Sequence, residues 1–236
     1  MGLVSSKSVL DAANEGRYAI GAFNVNNLEF AKAVIGAATE ERSPIIVQVS
    51  ESAIAYAGMK QITGIVAGLA GQANVPVALH LDHGRDWATI VQCIANGFTS
   101  VMIDGSHLPF DENVAITRKV VDVAHAAGVS VEAELGKLAG IEDYVVVDER
   151  DAFLTDPDEA IAFVEKTGVD ALAVAIGTSH GPRKFKGEPV LAIDLVSKIK
   201  AKVGIPLVLH GASGVPAEIM EVGERFGAAW GGSKGI

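Results

Sequence analysis

The stretch VALHLDHGRD, residues 77–86, opens as an apolar strand and then sets His80, Asp82 and His83 within four residues. A run apolar on both faces belongs in a parallel sheet covered by helices, and here the polar groups crowd in where the run stops. Six other runs share the design: YAIGAFN (18–24), PIIVQVS (44–50), SVMIDGS (100–106), VSVEAELG (129–136), ALAVAIG (171–177) and IPLVLHG (205–211). Between them, at 27–42, 59–74, 86–96, 111–127, 157–167 and 190–203, apolar residues recur at helical spacing. Ser5 or Ser6 is expected to cap a first helix, and Pro216 to open a last one over 216–226.

Such alternation fits either an open doubly wound sheet or a (β/α)8 barrel. All the runs end in polar residues: Asn24, Ser50, Asp82 with His83, Asp104, Glu134, the residues after Gly177, and His210. A barrel gathers every strand C-terminus at one mouth, whereas an open sheet concentrates its chemistry at a switch point. The pattern therefore predicts an α/β chain with the (β/α)8 TIM barrel fold. Seven strands are legible and nothing after Phe226 reads as another. The eighth strand and C-terminal helices are thus expected to be absent, and residues 1–236 to form a single barrel domain that is C-terminally incomplete.

Composition narrows the partners. The chain has 236 residues, 49% hydrophobic, with a formal net charge of −10 and no Lys/Arg run, which speaks against nucleic acid and anionic membranes. The single cysteine, Cys93, excludes an intrachain disulfide and suits a reducing, cytoplasmic setting. No apolar run approaches the roughly 20 residues of a transmembrane helix.

His83, His180 (in GTSHG) and His210 each follow a strand and precede a glycine. Any one alone is ordinarily a buried or loop histidine. Three at one mouth make a trigonal base for Zn²⁺ with a position left open. Asp82 shares a strand face with His80 and stands beside His83, placed for ligation, support or acid/base work. His80 lies deeper and reads as a support residue, and Glu132 as a buried supporting carboxylate. Asp104 and Glu134 either hold a second cation or complement the positive centre. His107 and His125 receive structural readings. Gly211–Gly214 open the last predicted helix with Ser213 at its N-cap, where free N–H groups make an anion cradle. No run ends in lysine, which disfavours Schiff-base catalysis.

YAIGAFNVNNLE, LHLDHG, SVMIDGSHLPF, SVEAELGKLAGIED, LAVAIGTSHG and PLVLHGASG, in this order and spacing, closely resemble the class II, zinc-dependent ketose-bisphosphate aldolases. That resemblance implies a TIM barrel, a homodimer or homotetramer, and reversible cleavage of fructose 1,6-bisphosphate. The products would be dihydroxyacetone phosphate and glyceraldehyde 3-phosphate, formed through an enediolate stabilised by zinc. It casts His83, His180 and His210 as zinc ligands, and Asp104 and Glu134 as ligands of a second or alternative divalent position. Asp82 becomes the acid/base at the C4 hydroxyl. Glu142 becomes the group exchanging the C3 proton, on a stretch (136–155) long enough to be a lid. Asn24, Ser50, Gly181, Lys184, Gly211, Ala212 and Ser213 are implied substrate contacts, some of them beside a monovalent cation (Na⁺ or K⁺). The chain departs from the family in reading GPRK after His180 and in lacking the Asn/Asp/Thr cluster of the family's eighth strand. Tagatose 1,6-bisphosphate aldolase and a noncatalytic barrel subunit are the alternatives.

Overall fold

A computed structural model describes residues 2–137, 139–142, 145–147, 153–180, 191–211 and 228–230. The predicted runs supply the strands β1 (Ala22–Asn24), β2 (Ile45–Ser50), β3 (Val77–Gly84), β4 (Ser100–Ile103), β5 (Ser130–Leu135), β8 (Ala171–Val174) and β10 (Leu207–Leu209). They lie side by side in that order, every pairing parallel. The helices are α1 (Ser6–Gly16), α2 (Leu28–Glu40), α3 (Glu51–Ala57), α4 (Met59–Gln72), α5 (Trp87–Ala95), α6 (Phe110–Ala126), α7 (Pro157–Thr167) and α8 (Ile193–Val203).

The sheet is curled. Three strands separate β3 from β10, so in a flat sheet they would lie roughly 19 Å apart at the usual strand spacing. Yet His83 Nε2 and His210 Nδ1 are 3.2 Å from each other. The curl makes two cores. Alternate residues such as Leu79, Leu81, Val101 and Val131 point outward and pack under the helices. The others point inward, where Ile46, Ala78, Met102, Ala171, Ala173 and Val208 meet Val9, Leu10 and Ala13 of α1. Helix α1 thus plugs the interior, its N-terminus capped by Ser5, whose hydroxyl accepts from Lys7 N.

Four features depart from expectation. Backbone of Ala228–Trp230 (β11) pairs in parallel with β10, so a segment beyond Phe226 does add a strand. Three residues flanked by glycines carry no periodicity to announce it. Among the described residues, no ladder joins β11 to β1. Second, β3 extends through Gly84, placing His83 within the strand rather than past its end. Third, within 136–155, Ala139–Glu142 (β6) pairs antiparallel with Val145–Val147 (β7) and parallel with Ser179–His180 (β9), forming a small second sheet where a plain loop was expected. Fourth, a short α3 precedes α4, because Ser50 caps a new helix immediately after β2. The helix predicted over 216–226 lies outside the described residues.

Among the described residues no single helix is long and apolar enough to cross a membrane. The α3–α4 pair, bent by 95°, qualifies only by joint length, and α4 buries Ile62, Val66 and Ala70 in the outer core.

Candidate active site

The mouth is built from a local irregularity. Leu81 faces Val101 and Gly84 faces Ile103, so β3 carries one residue more than β4 over this interval. Neighbouring residues of a regular strand point to opposite faces; an extra residue re-aims one of them. His83 absorbs the distortion with φ of +44°, a left-handed conformation that costs a side-chain-bearing residue energy. Asp82 and His83 consequently both reach the interior. Packing requires the glycine at position 84: a Cβ there would lie 2.6 Å from the Met102 carbonyl oxygen of β4.

Asp82, His83 and His210 offer three buried donor atoms to one point, and His83, Asp104 and Glu134 offer a second such set. The ring nitrogens His83 Nε2 and His210 Nδ1 stand 3.2 Å apart. Two ligands of a tetrahedral ion with zinc–nitrogen bonds near 2.05 Å would be separated by roughly 3.3 Å. Asp82 Oδ1 lies 4.0 Å from each of those nitrogens. On its other side, His83 Nδ1 is 3.2 Å from Asp104 Oδ2 and 3.6 Å from Glu134 Oε2. The donor chemistry and spacing fit zinc.

Buried partners orient these groups. His210 Nε2 meets Glu132 Oε1 at 2.8 Å, which leaves Nδ1 turned toward His83. Burial and nearby His83 act to lower the His210 pKa, but the Glu132 hydrogen bond and the charges of Glu132 and Asp82 outweigh them and raise it to about 9. Burial works against ionising Glu132 as well, yet the His210 bond and the surrounding imidazoles hold its pKa below the ordinary value. Asp104 is similar: against the effect of burial, His83, Arg85 and Ser106 hold its carboxyl well below the usual range. For Asp82, Gln48 Nε2 donates to Oδ1 at 2.9 Å and Asn24 Nδ2 to Oδ2 at 2.6 Å. Two amide donors fix the carboxylate plane and leave it an acceptor.

A family model described as fructose-bisphosphate aldolase class-II matches residues 4–229. The chain belongs to that family. This aldolase is 52% identical to a fructose-bisphosphate aldolase of Thermus caldophilus over 229 residues, 97% of this chain and 74% of the relative. A fructose-bisphosphate aldolase of Helicobacter pylori is 48% identical, with 99% and 76% covered. Among solved structures, a putative fructose-1,6-bisphosphate aldolase from Coccidioides immitis superimposes with a TM-score of 0.88 at 35% identity, covering 96% of this chain and 79% of that one. The YdjI aldolase of Escherichia coli K12 gives 0.82 at 35% identity, with 97% and 80% covered. These likenesses place the curled sheet in the TIM-barrel aldolases.

The aldolase fold thus brings together Asp82, His83, Asp104, Glu134 and His210, while Ser50 caps α3 by accepting from Ala53 N at 3.3 Å. Gly211 is buried with φ of +72°. His180 and Glu142 are placed by backbone alone, on β9 and β6, and the partner of His180 in the ladder is Gly140. Their side chains, together with Gly181, Lys184, Ala212 and Ser213, lie outside the described residues. Sequence reading missed Gln48, Arg85 and Glu51. Arg85 Nη2 donates to Asp104 Oδ2 at 2.6 Å, and Glu51 Oε1 accepts from the backbone N–H groups of Arg85 and Asp86. Gln48 shares inward parity with His80 through the register Gln48↔His80, the one signal that would have exposed it.

Beside the mouth, a groove of about 900 Å³ runs between β1, α2 and α3. Asn24 and Ser50 touch its upper end; Phe23, Phe30, Val34 and Tyr56 make the rest apolar. The titratable cluster lies inside the sheet, so the groove is not where the chemistry gathers.

Proposed function

We propose that this aldolase reversibly cleaves fructose 1,6-bisphosphate to dihydroxyacetone phosphate and glyceraldehyde 3-phosphate, with zinc held by His83, His210 and His180. The observation that carries this is the pair of imidazole nitrogens 3.2 Å apart with the Asp82 carboxylate beside both. The names of the relatives support the substrate. A zinc ion there would supply Lewis-acid polarisation of the ketose carbonyl.

The protein's own groups do the rest. Asp82, held by Gln48 and Asn24, takes the C4 hydroxyl proton as the C3–C4 bond breaks and the aldehyde leaves. Glu142 returns a proton to C3 of the remaining three-carbon fragment. Asp104 and Glu134 hold a second divalent ion, which their approach to His83 supports. Asn24, Ser50, Gly181, Lys184, Gly211, Ala212 and Ser213 contact the substrate, Gly181, Gly211 and Ser213 forming the cradle for its phosphate with a monovalent cation nearby. The chain acts as one barrel domain in the cytoplasm, as a homodimer or homotetramer.

The test is metal content measured together with cleavage. Activity on fructose 1,6-bisphosphate should vanish with a chelator, return with Zn²⁺, and fall about 10²–10⁴-fold in Asp82→Ala. Cleavage that survives complete metal removal would refute the reading, and faster turnover of tagatose 1,6-bisphosphate would reassign the substrate.

A further inference from the structure

We propose that Ser6, on the plug helix α1, is a positioning residue for His210, acting through Ser100, His80 and Glu132. The inference uses the proposed metal reading for one of its readouts, while the relay itself is drawn from contacts in the protein. A path of buried polar atoms, hydrogen-bonded as far as His80 and electrostatic across the gap from His80 to Glu132, runs from the N-terminal ends of β4 and β5 to the mouth. Ser6 Oγ is 2.8 Å from both Ser100 Oγ and Ser130 Oγ. Ser100 Oγ is 2.7 Å from His80 Nδ1, and His80 Nε2 is 3.7 Å from Glu132 Oε2. Glu132 Oε1 then holds His210 Nε2 at 2.8 Å.

Packing does not call for these hydroxyls. The rest of the inward face of α1 is apolar, with Val9, Leu10 and Ala13 against Ala78, Met102 and Ala171. Mutually bonded buried polar groups add little over apolar groups of the same shape. What they add is direction. His80 Nε2 makes no hydrogen bond among the described residues, yet it faces a carboxylate. A bare lone pair there would oppose the Glu132 charge, so the ring proton belongs on Nε2. Nδ1 must then accept, and Ser100 is its donor. A hydroxyl has one proton, so Ser100 accepts in turn from Ser6. Ser6 Oγ also meets Ser130 Oγ, whose proton is shared with the Thr99 carbonyl oxygen 3.2 Å away. From Ser6 to His80 the donors point toward the mouth. Glu132 thereby faces two N–H groups and holds His210 by Nε2–H with Nδ1 directed at His83, the atom left to bind a metal once it gives up its proton. This is the usual way a carboxylate orients a metal-binding imidazole.

The experiment compares Ser6→Ala with Ser5→Ala in the whole chain. Alanine is a good helix former, so Ser6→Ala does not weaken α1 intrinsically. Ser5→Ala removes the α1 cap and touches no member of the path. Histidine ¹⁵N NMR on metal-free protein reads the His80 tautomer, and Co²⁺ titration reads the mouth. Ser6→Ala should shift His80 from the Nε2–H form to a mixture, alter the visible Co²⁺ spectrum and weaken Co²⁺ binding by roughly tenfold. Ser5→Ala should lower only the melting temperature. An unchanged His80 tautomer and unchanged Co²⁺ binding in Ser6→Ala would overturn the proposal. Should Ser6→Ala fail to fold, the same readings on Ser100→Ala decide it. A His80 tautomer that shifts in a protein taking up no Co²⁺ would support the relay and sink the metal reading instead.

Discussion

His83 is the residue on which the mouth turns, and its neighbours show how little freedom it has. Gly84 is confined by the Met102 carbonyl oxygen at 2.6 Å from a would-be Cβ and by Leu81 and Ile90. Gly84→Ala should therefore cost roughly 1–3 kcal/mol and shift His83, so that metal affinity falls together with the melting temperature in denaturation and Zn²⁺ titrations. The His210–Glu132 pair sets a pH signature. Glu132, depressed below 4.5, contributes stability that is present above that pH and is lost as the pH falls through its folded value. His210, raised from 6.5 to about 9, contributes stability that is complete below 6.5 and lost as the pH climbs to 9. Metal-free protein should thus melt lower as the pH climbs from 6.5 to 9, with His210→Gln flattening that alkaline limb. His80, whose pKa burial lowers, takes stability away as the pH falls below 6.5. Zinc needs the deprotonated ring, so Zn²⁺ affinity should rise over the interval in which the metal-free protein weakens. A melting profile without that alkaline limb would show that Glu132 does not hold His210 charged. Cys93, whose thiol burial pushes up to about 12, should resist alkylation throughout.

At the scale of elements, the strands and helices were legible wherever one period ran long enough. The runs at 44–50, 100–106 and 205–211 all hold strands, and the segments at 111–127 and 157–167 hold α6 and α7. Phe163 is fully buried on α7 with its ring 6.1 Å from Phe110 of α6. Phe163→Ala should cost about 3–5 kcal/mol by chemical denaturation, without changing the Co²⁺ spectrum of the folded fraction. What escaped reading was set by pairing rather than by pattern. β6, β7 and β9 are two to four residues long and exist through one another's hydrogen bonds. The three-residue β11 depends likewise on β10. The site followed the same rule. His83, His210 and Asp82 stand at strand ends and announce themselves, whereas Gln48 and Arg85 acquire meaning only when the pairing of neighbouring strands sets them against Asp82 and Asp104.

For the whole molecule, the curl converts separation along the chain into contact, since His83 and His210 are 127 positions apart in sequence. Metal bound there should hold β3 to β10, stabilising the fold by about 2.7 kcal/mol when free Zn²⁺ is a hundredfold above its dissociation constant. Calorimetry with and without a chelator would measure this, and equal melting temperatures would exclude a metal bridge. The apolar groove beside β1 leaves Tyr56 75% and Phe30 41% exposed. If the proposed oligomer forms through this face, Phe30→Asp should shift the sedimentation coefficient toward that of the monomer. The additional residue in β3 has a last consequence. An even ladder from Leu81 to Gly84 would hold one residue where this chain holds Asp82 and His83, so it would relieve the left-handed backbone and leave the interior only one of the two. Such a chain would be the more orderly protein and the poorer catalyst: in this sheet, reactivity is carried by a single miscount.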